Sequence, residues 1–122
     1  MGSHPVNLFF RFILELVFLV VFSLWGYRQI EGWPSVVLAV FMPGVVMLVW
    51  GIFNVPDDPS RSGKAPVPVP GILRLFIEFS IFGFALWFLY DLGYQRLCII
   101  YGVLVIVHYI FSIDRISWLL SR

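Results

Sequence analysis

The sequence predicts an all-α membrane protein, four transmembrane helices arranged as two helical hairpins repeated in parallel. Composition, four long apolar runs and a recurring charged pair carry that prediction. Of 122 residues, 61% are hydrophobic and 12% charged, about half the charge a soluble domain carries. With a mean hydropathy of +0.96, lipid is the expected solvent. Apolar runs cover residues 8–27, 34–53, 72–92 and 97–113. Arg11 and Glu15 open the first run, and Arg74 and Glu78 open the third, at a constant offset of 63.

The first three runs, at about 1.5 Å per residue, reach roughly 30 Å, the thickness of a hydrocarbon core. Within it every backbone amide must be satisfied locally, which helices do. The alternating polar residues of a membrane strand are missing. The first run ends in Leu24-Trp25-Gly26-Tyr27, without the small residues a signal peptidase needs, so it is expected to be a retained helix. Met1 to His4 carry no functional argument. Trp33-Pro34 follows Gly32, which puts proline at the first position of the second helix. Pro43 is expected to kink that helix, and Gly44 to admit a neighbouring backbone. Ser80, Gly83 and Ala85 give the third helix small residues for close packing. Gly93 supplies a left-handed turn before the fourth helix. That helix is slightly short, and residues 114–122 form a short tail whose apolar part, Ile116 to Leu120, is expected to run along the interface.

Short connections force antiparallel hairpins at 8–53 and 72–113. The connector at 54–71 holds five of the eight prolines and is expected to be an extended, polyproline II strap. Asp57-Asp58 within it reads as a solvated acidic turn. Arg11, Arg61, Lys64, Arg74, Arg115 and Arg122 fall on the side of the termini and strap, against Arg28 and Arg96 on the other. Basic residues favour the cytoplasm, so both termini are expected there. Trp25, Tyr27, Trp33, Tyr90 and Tyr94 then form the outer aromatic belt, with Trp50 and Trp118 at the inner interface. Tyr27 and Tyr90, and Trp25 and Phe88, share the offset of 63. Two units of two spans each insert in the same sense, related by a pseudo-twofold axis along the membrane normal, unlike inverted repeats.

Arg11 and Glu15, like Arg74 and Glu78, share a helix face. An uncompensated charge at mid-membrane costs about 2.5–3.5 kcal/mol on insertion scales. Arginine near a helix end escapes by snorkelling, so Arg11 and Arg74 read as orientation anchors. Glu15 and Glu78 then need an account. Each is neutralised by arginine and pins the bundle, or the two form a cation or proton site, or they orient arginines that bind lipid phosphate. Asn54 and Asp114, at the same level on the even-numbered helices, are candidates to complete the cluster.

The remaining residues exclude more than they suggest. A net charge of +1 without a basic stripe excludes a nucleic-acid partner. Cys98 is the single cysteine, which removes disulfide and cysteine-metal chemistry. Two histidines, His4 and His108, offer no metal-ligand spacing. His108 reads as a hydrogen-bonded packing residue, with a proton relay or haem ligand as the sharper alternatives. No hydrolase, metalloprotease or phosphate-loop motif occurs, so neither an enzyme nor a cofactor is expected.

Asn7-Leu8 leads into Arg11-Phe12-Ile13-Leu14-Glu15-Leu16 and Trp25-Gly26. Pro43, Trp50-Gly51-Ile52-Phe53, Pro56, Arg74, Glu78 and Phe82-Gly83 follow. In combination these segments resemble the YrdB-like family of small bacterial membrane proteins, a domain of unknown function, over residues 7–113. The resemblance implies four spans in a bacterial inner membrane and supplies no substrate or catalytic residue. The leading expectation is a protein that binds or translocates a small cation, proton or lipid headgroup at Arg11, Glu15, Arg74, Glu78, Asn54 and Asp114. The alternative is a non-catalytic accessory or scaffold subunit of a larger membrane complex. The expected partners are membrane lipids and a second copy or a larger complex, since four short helices leave little room for a pore.

Overall fold

A computed structural model describes residues 5–56 and 67–121. The readings at Met1 to His4, Asp57, Asp58, Arg61, Lys64 and Arg122 lie outside the described residues.

Five helices follow the apolar runs: α1 (Pro5–Gln29), α2 (Pro34–Ile52), α3 (Gly71–Asp91), α4 (Gln95–Phe111) and α5 (Ile113–Leu120). Pro34 stands at the start of α2, and α2 runs unbroken through Pro43. Gly32 and Gly93 turn the two hairpins at φ of +83° and +87°, a conformation that costs a side-chain-bearing residue energy and glycine little. Two-residue strands, β1 (Phe53–Asn54) and β2 (Val67–Pro68), pair in parallel and hold the ends of the strap together. The Val69 amide also donates to Asn54 O at 2.9 Å. At Pro70 the backbone takes φ −61° and ψ 151°, the polyproline II values expected there.

Helices α1, α2 and α3 are each long and apolar enough to cross a membrane. The remaining apolar segment is broken. Helix α4 stops at Phe111, and α5 leaves it at 69°. The segment expected as a tail is therefore mostly helix. Counting α4 and α5 as one bent span, the described residues hold up to four segments able to span a membrane.

Contacts at both ends set α1 beside α3 in the same direction. Arg11 reaches Glu78 at the strap end, and Trp25 Nε1 donates to Asp91 Oδ2 at 2.9 Å at the turn end. Between them lies an aromatic core. Phe18 meets Phe82 and Trp50 edge-on, and Phe22 meets Phe88 in the same way. Trp25 stacks on Phe88 at 4.1 Å. Such pairs add about 0.5–1.5 kcal/mol each beyond their burial.

Close backbone approach occurs at glycines other than the two expected. A Cβ at Gly44 would meet nothing within 4 Å, and the same holds at Gly83. At Gly26 it would lie 2.9 Å from Leu38 O, and at Gly71 it would strike the Leu119 backbone. The sequence marks both residues as glycine but not as contacts, because the contact belongs to the partner helix. Ala85, by contrast, is fully buried, as its size suggested.

Candidate functional site

Glu78 lies in the second turn of α3 and is completely buried. Four side chains from four helices converge on its carboxylate. Arg115 of α5 donates through Nη1 to Oε1 at 2.9 Å and through Nη2 to Oε2 at 2.7 Å. Arg74, one turn earlier on α3, donates Nε–H to Oε2 at 2.7 Å. Arg11 of α1 brings Nη2 to 3.1 Å from Oε1. The Tyr109 hydroxyl of α4 donates to Oε1 at 2.7 Å. A carboxylate offers about four lone-pair sites, and here the chain's own donors fill them.

The arginines have further work. Arg74 Nη1 donates to Trp50 O at 2.7 Å and to Phe53 O at 2.9 Å. These carbonyls belong to the C-terminal end of α2, where a helix leaves acceptors unsatisfied and favours positive charge. Arg11 and Arg74 also lie over the Trp50 ring, at 5.0 and 4.5 Å from its centroid. The expectation that these two arginines reach outward as anchors is corrected. Their side chains are 5% and 2% exposed and turn into the bundle, because a buried carboxylate attracts them more than headgroups do.

A polar chain leads from this cluster to the α4–α5 break. Arg11 Nη1 stands 3.3 Å from His108 Nε2. Guanidinium only donates, so Nε2 accepts and the ring proton sits on Nδ1. That nitrogen then donates to Asn7 Oδ1 at 3.1 Å, and Asn7 Nδ2 donates to Ser112 Oγ at 2.8 Å. His108 is buried and stacks with Phe10, which is the packing role its sequence position suggested.

Glu15 does not share the environment of Glu78. It accepts Trp50 Nε1–H at 2.6 Å, lies 3.6 Å from Arg11 Nε and is 24% exposed. Asn54 is fully buried beside the cluster and donates to Gly51 O at 2.6 Å, while its Oδ1 has no partner among the described residues. Asp114 is exposed on α5. The structure thus brings Arg11, Arg74 and Glu78 into direct contact, ties Glu15 to them through Arg11, and sets Asn54 and Asp114 at the margin. Sequence reasoning missed Arg115, Tyr109 and Asn7 as cluster residues. The available signal for Arg115 was its place just before the apolar stretch Ile116 to Leu120. Among the described residues no group of three His, Cys, Asp or Glu could hold a metal ion.

A family profile described as a protein of unknown function, DUF2568, matches residues 9–106. The chain belongs to the DUF2568 family. It is 40% identical over 119 residues to the uncharacterized protein YrdB of Bacillus subtilis (strain 168), covering 98% of this chain and 97% of that relative. No solved structure matches. For this DUF2568 protein, then, the YrdB-like resemblance of the sequence is membership, and its broad description is a small helical protein with membrane-crossing segments. The family brings no reaction with it.

Proposed function

We propose that the protein is a non-catalytic accessory or scaffold subunit of a bacterial inner-membrane complex, and that its charged cluster ties its own helices together. The observation that carries this reading is the occupancy of Glu78. A cation arriving there would have to displace guanidinium groups from α1, α3 and α5. The rest of the core supports the same reading. Apart from Ser35 near the turn end and the Tyr101 hydroxyl between, the buried polar side chains among the described residues sit at the strap end. Beyond them Phe18, Phe22, Phe82 and Phe88 close the interior. A proton or ion crossing one copy would meet the buried Tyr101 hydroxyl on that stretch, already spent on Leu14 O at 2.7 Å.

In this reading two like-oriented hairpins, descended from one duplicated unit, place the strap and both termini in the cytoplasm. The asymmetry between Glu15 and Glu78 follows if the second unit acquired Tyr109 and Arg115 after duplication. A stoichiometric protein partner copurified from native membranes is the expected result. A monodisperse protein that carries protons or cations in liposomes, and loses that flux in Glu78→Gln, would refute it.

A second reading retains an anionic lipid headgroup. Three guanidinium groups stand against Glu78 and Glu15 at the strap end, a balance that favours phosphate at the inner leaflet. Retention of phosphatidylglycerol over phosphatidylcholine through purification, abolished by Arg11→Gln, would favour it over the first.

A further inference from the structure

Helices α3 and α4 are tied twice and stand apart between the ties. Toward the turn end, Cys98 Sγ–H donates to Leu86 O at 3.3 Å, and Gly102 lies close enough that a Cβ would touch Leu86 at 3.4 Å. At the strap end, Tyr109 is bonded to Glu78. Between these points Gly83 offers no side chain, and nothing fills the space around its absent Cβ within 4 Å. The result is a hollow of about 420 Å³, lined by Phe79, Gly83, Val105, Tyr109, Ile113 and Ile116 among others. Its floor comes from α5, which the 69° bend carries beneath the gap.

We infer that this hollow is a binding site for one hydrocarbon chain of a membrane lipid. The lining is apolar throughout. Tyr109, the one residue there with a hydroxyl, turns that group inward to Glu78. A polar or charged ligand would find no partner, and burying one without a partner is costly. The rim is continuous with the surface that membrane-crossing helices present to lipid: Phe79, Ile106, Ile110 and Ile113 are all exposed around it. The volume falls in the range of small-molecule pockets, whereas a partner helix is about 10–12 Å across and fits only by its side-chain tips. A site bounded by a tie above and a helix below holds a chain in one place. This inference rests on the α3–α4–α5 geometry and is independent of the accessory-subunit reading.

The full-length protein, reconstituted in vesicles of phosphatidylglycerol with a diazirine on one acyl chain, tests it by photocrosslinking and peptide mass mapping. Saturable adducts concentrated on residues 79–86 and 105–116 are expected. Gly83→Leu adds a side chain at the wall of the hollow, its Cβ meeting nothing within 4 Å, and should abolish them while leaving the melting transition in place. Gly44→Leu makes the same change on α2, where nothing lies within 4 Å either, and should leave the adducts unchanged. Adducts spread evenly over the lipid-facing residues would overturn the site. So would labelling that Gly83→Leu does not alter, or a protein segment that shields these residues from the lipid probe.

Discussion

Arg115 on α5 holds Glu78 on α3 with two parallel hydrogen bonds, at 2.9 and 2.7 Å, with both side chains buried. The fork geometry joins α3 to α5, which bends 69° away from α4. Arg115→Lys keeps the charge and loses the paired donors. We expect α5 to loosen, read as faster amide exchange over residues 113–120, while α1 and α2 keep wild-type protection. Unchanged exchange in α5 would show that its apolar face alone holds it.

Glu78→Gln removes the charge that three guanidinium groups share. Breaking a buried ion pair from one side costs about 3–5 kcal/mol, so thermal unfolding in detergent should shift strongly downward. Glu15 is partly exposed and holds chiefly one indole N–H. Glu15→Gln keeps an acceptor for that indole and should cost about 0.5–1.5 kcal/mol, the scale of an ordinary hydrogen bond. Equal shifts in the two variants would contradict the asymmetry between the sites.

The glycines give a steric series. Gly71→Ala puts a methyl group into the Leu119 backbone and should displace α5, lowering the unfolding temperature. Gly26→Ala crowds Leu38 O and Met42 and should weaken the α1–α2 contact. In Gly44→Ala the added methyl meets nothing, and the helix gains about 0.5–1 kcal/mol. A denaturation series in one detergent orders all three.

Orientation is checked by single cysteines in a Cys98→Ala background. Ser121→Cys lies just past α5 and Gln29→Cys at the turn end of α1, and both positions are exposed. An impermeant maleimide applied to spheroplasts should label the residue-29 cysteine and spare the residue-121 cysteine until the membrane is opened. The reverse pattern would invert the proposed topology.

Much of the molecule was legible residue by residue. The long apolar runs marked α1, α2 and α3 to within a few residues, because lipid leaves the backbone few alternatives to a helix. Gly32 and Gly93 marked the turns. The cluster was legible only in part. Arg11, Arg74 and Glu78 announced themselves as charges in apolar helices, whereas Tyr109 looks like any aromatic on a membrane helix. Arg115 entered only as a basic residue counted toward orientation. The offset of 63 pointed to equivalence between Glu15 and Glu78, yet it could not report that α4 and α5 serve one of them and Trp50 of α2 the other.

By itself the sequence determined the solvent, the helix spans and which charges had to be accounted for, since those follow from local hydrophobicity and the price of a bare charge in lipid. Only the tertiary structure decided which carboxylate the arginines share, because that depends on the break at Ser112 bringing α5 back under α3. It also decided that the aromatic core stays closed and that Gly83 leaves a hollow. Both depend on distances between helices that no stretch of one helix encodes.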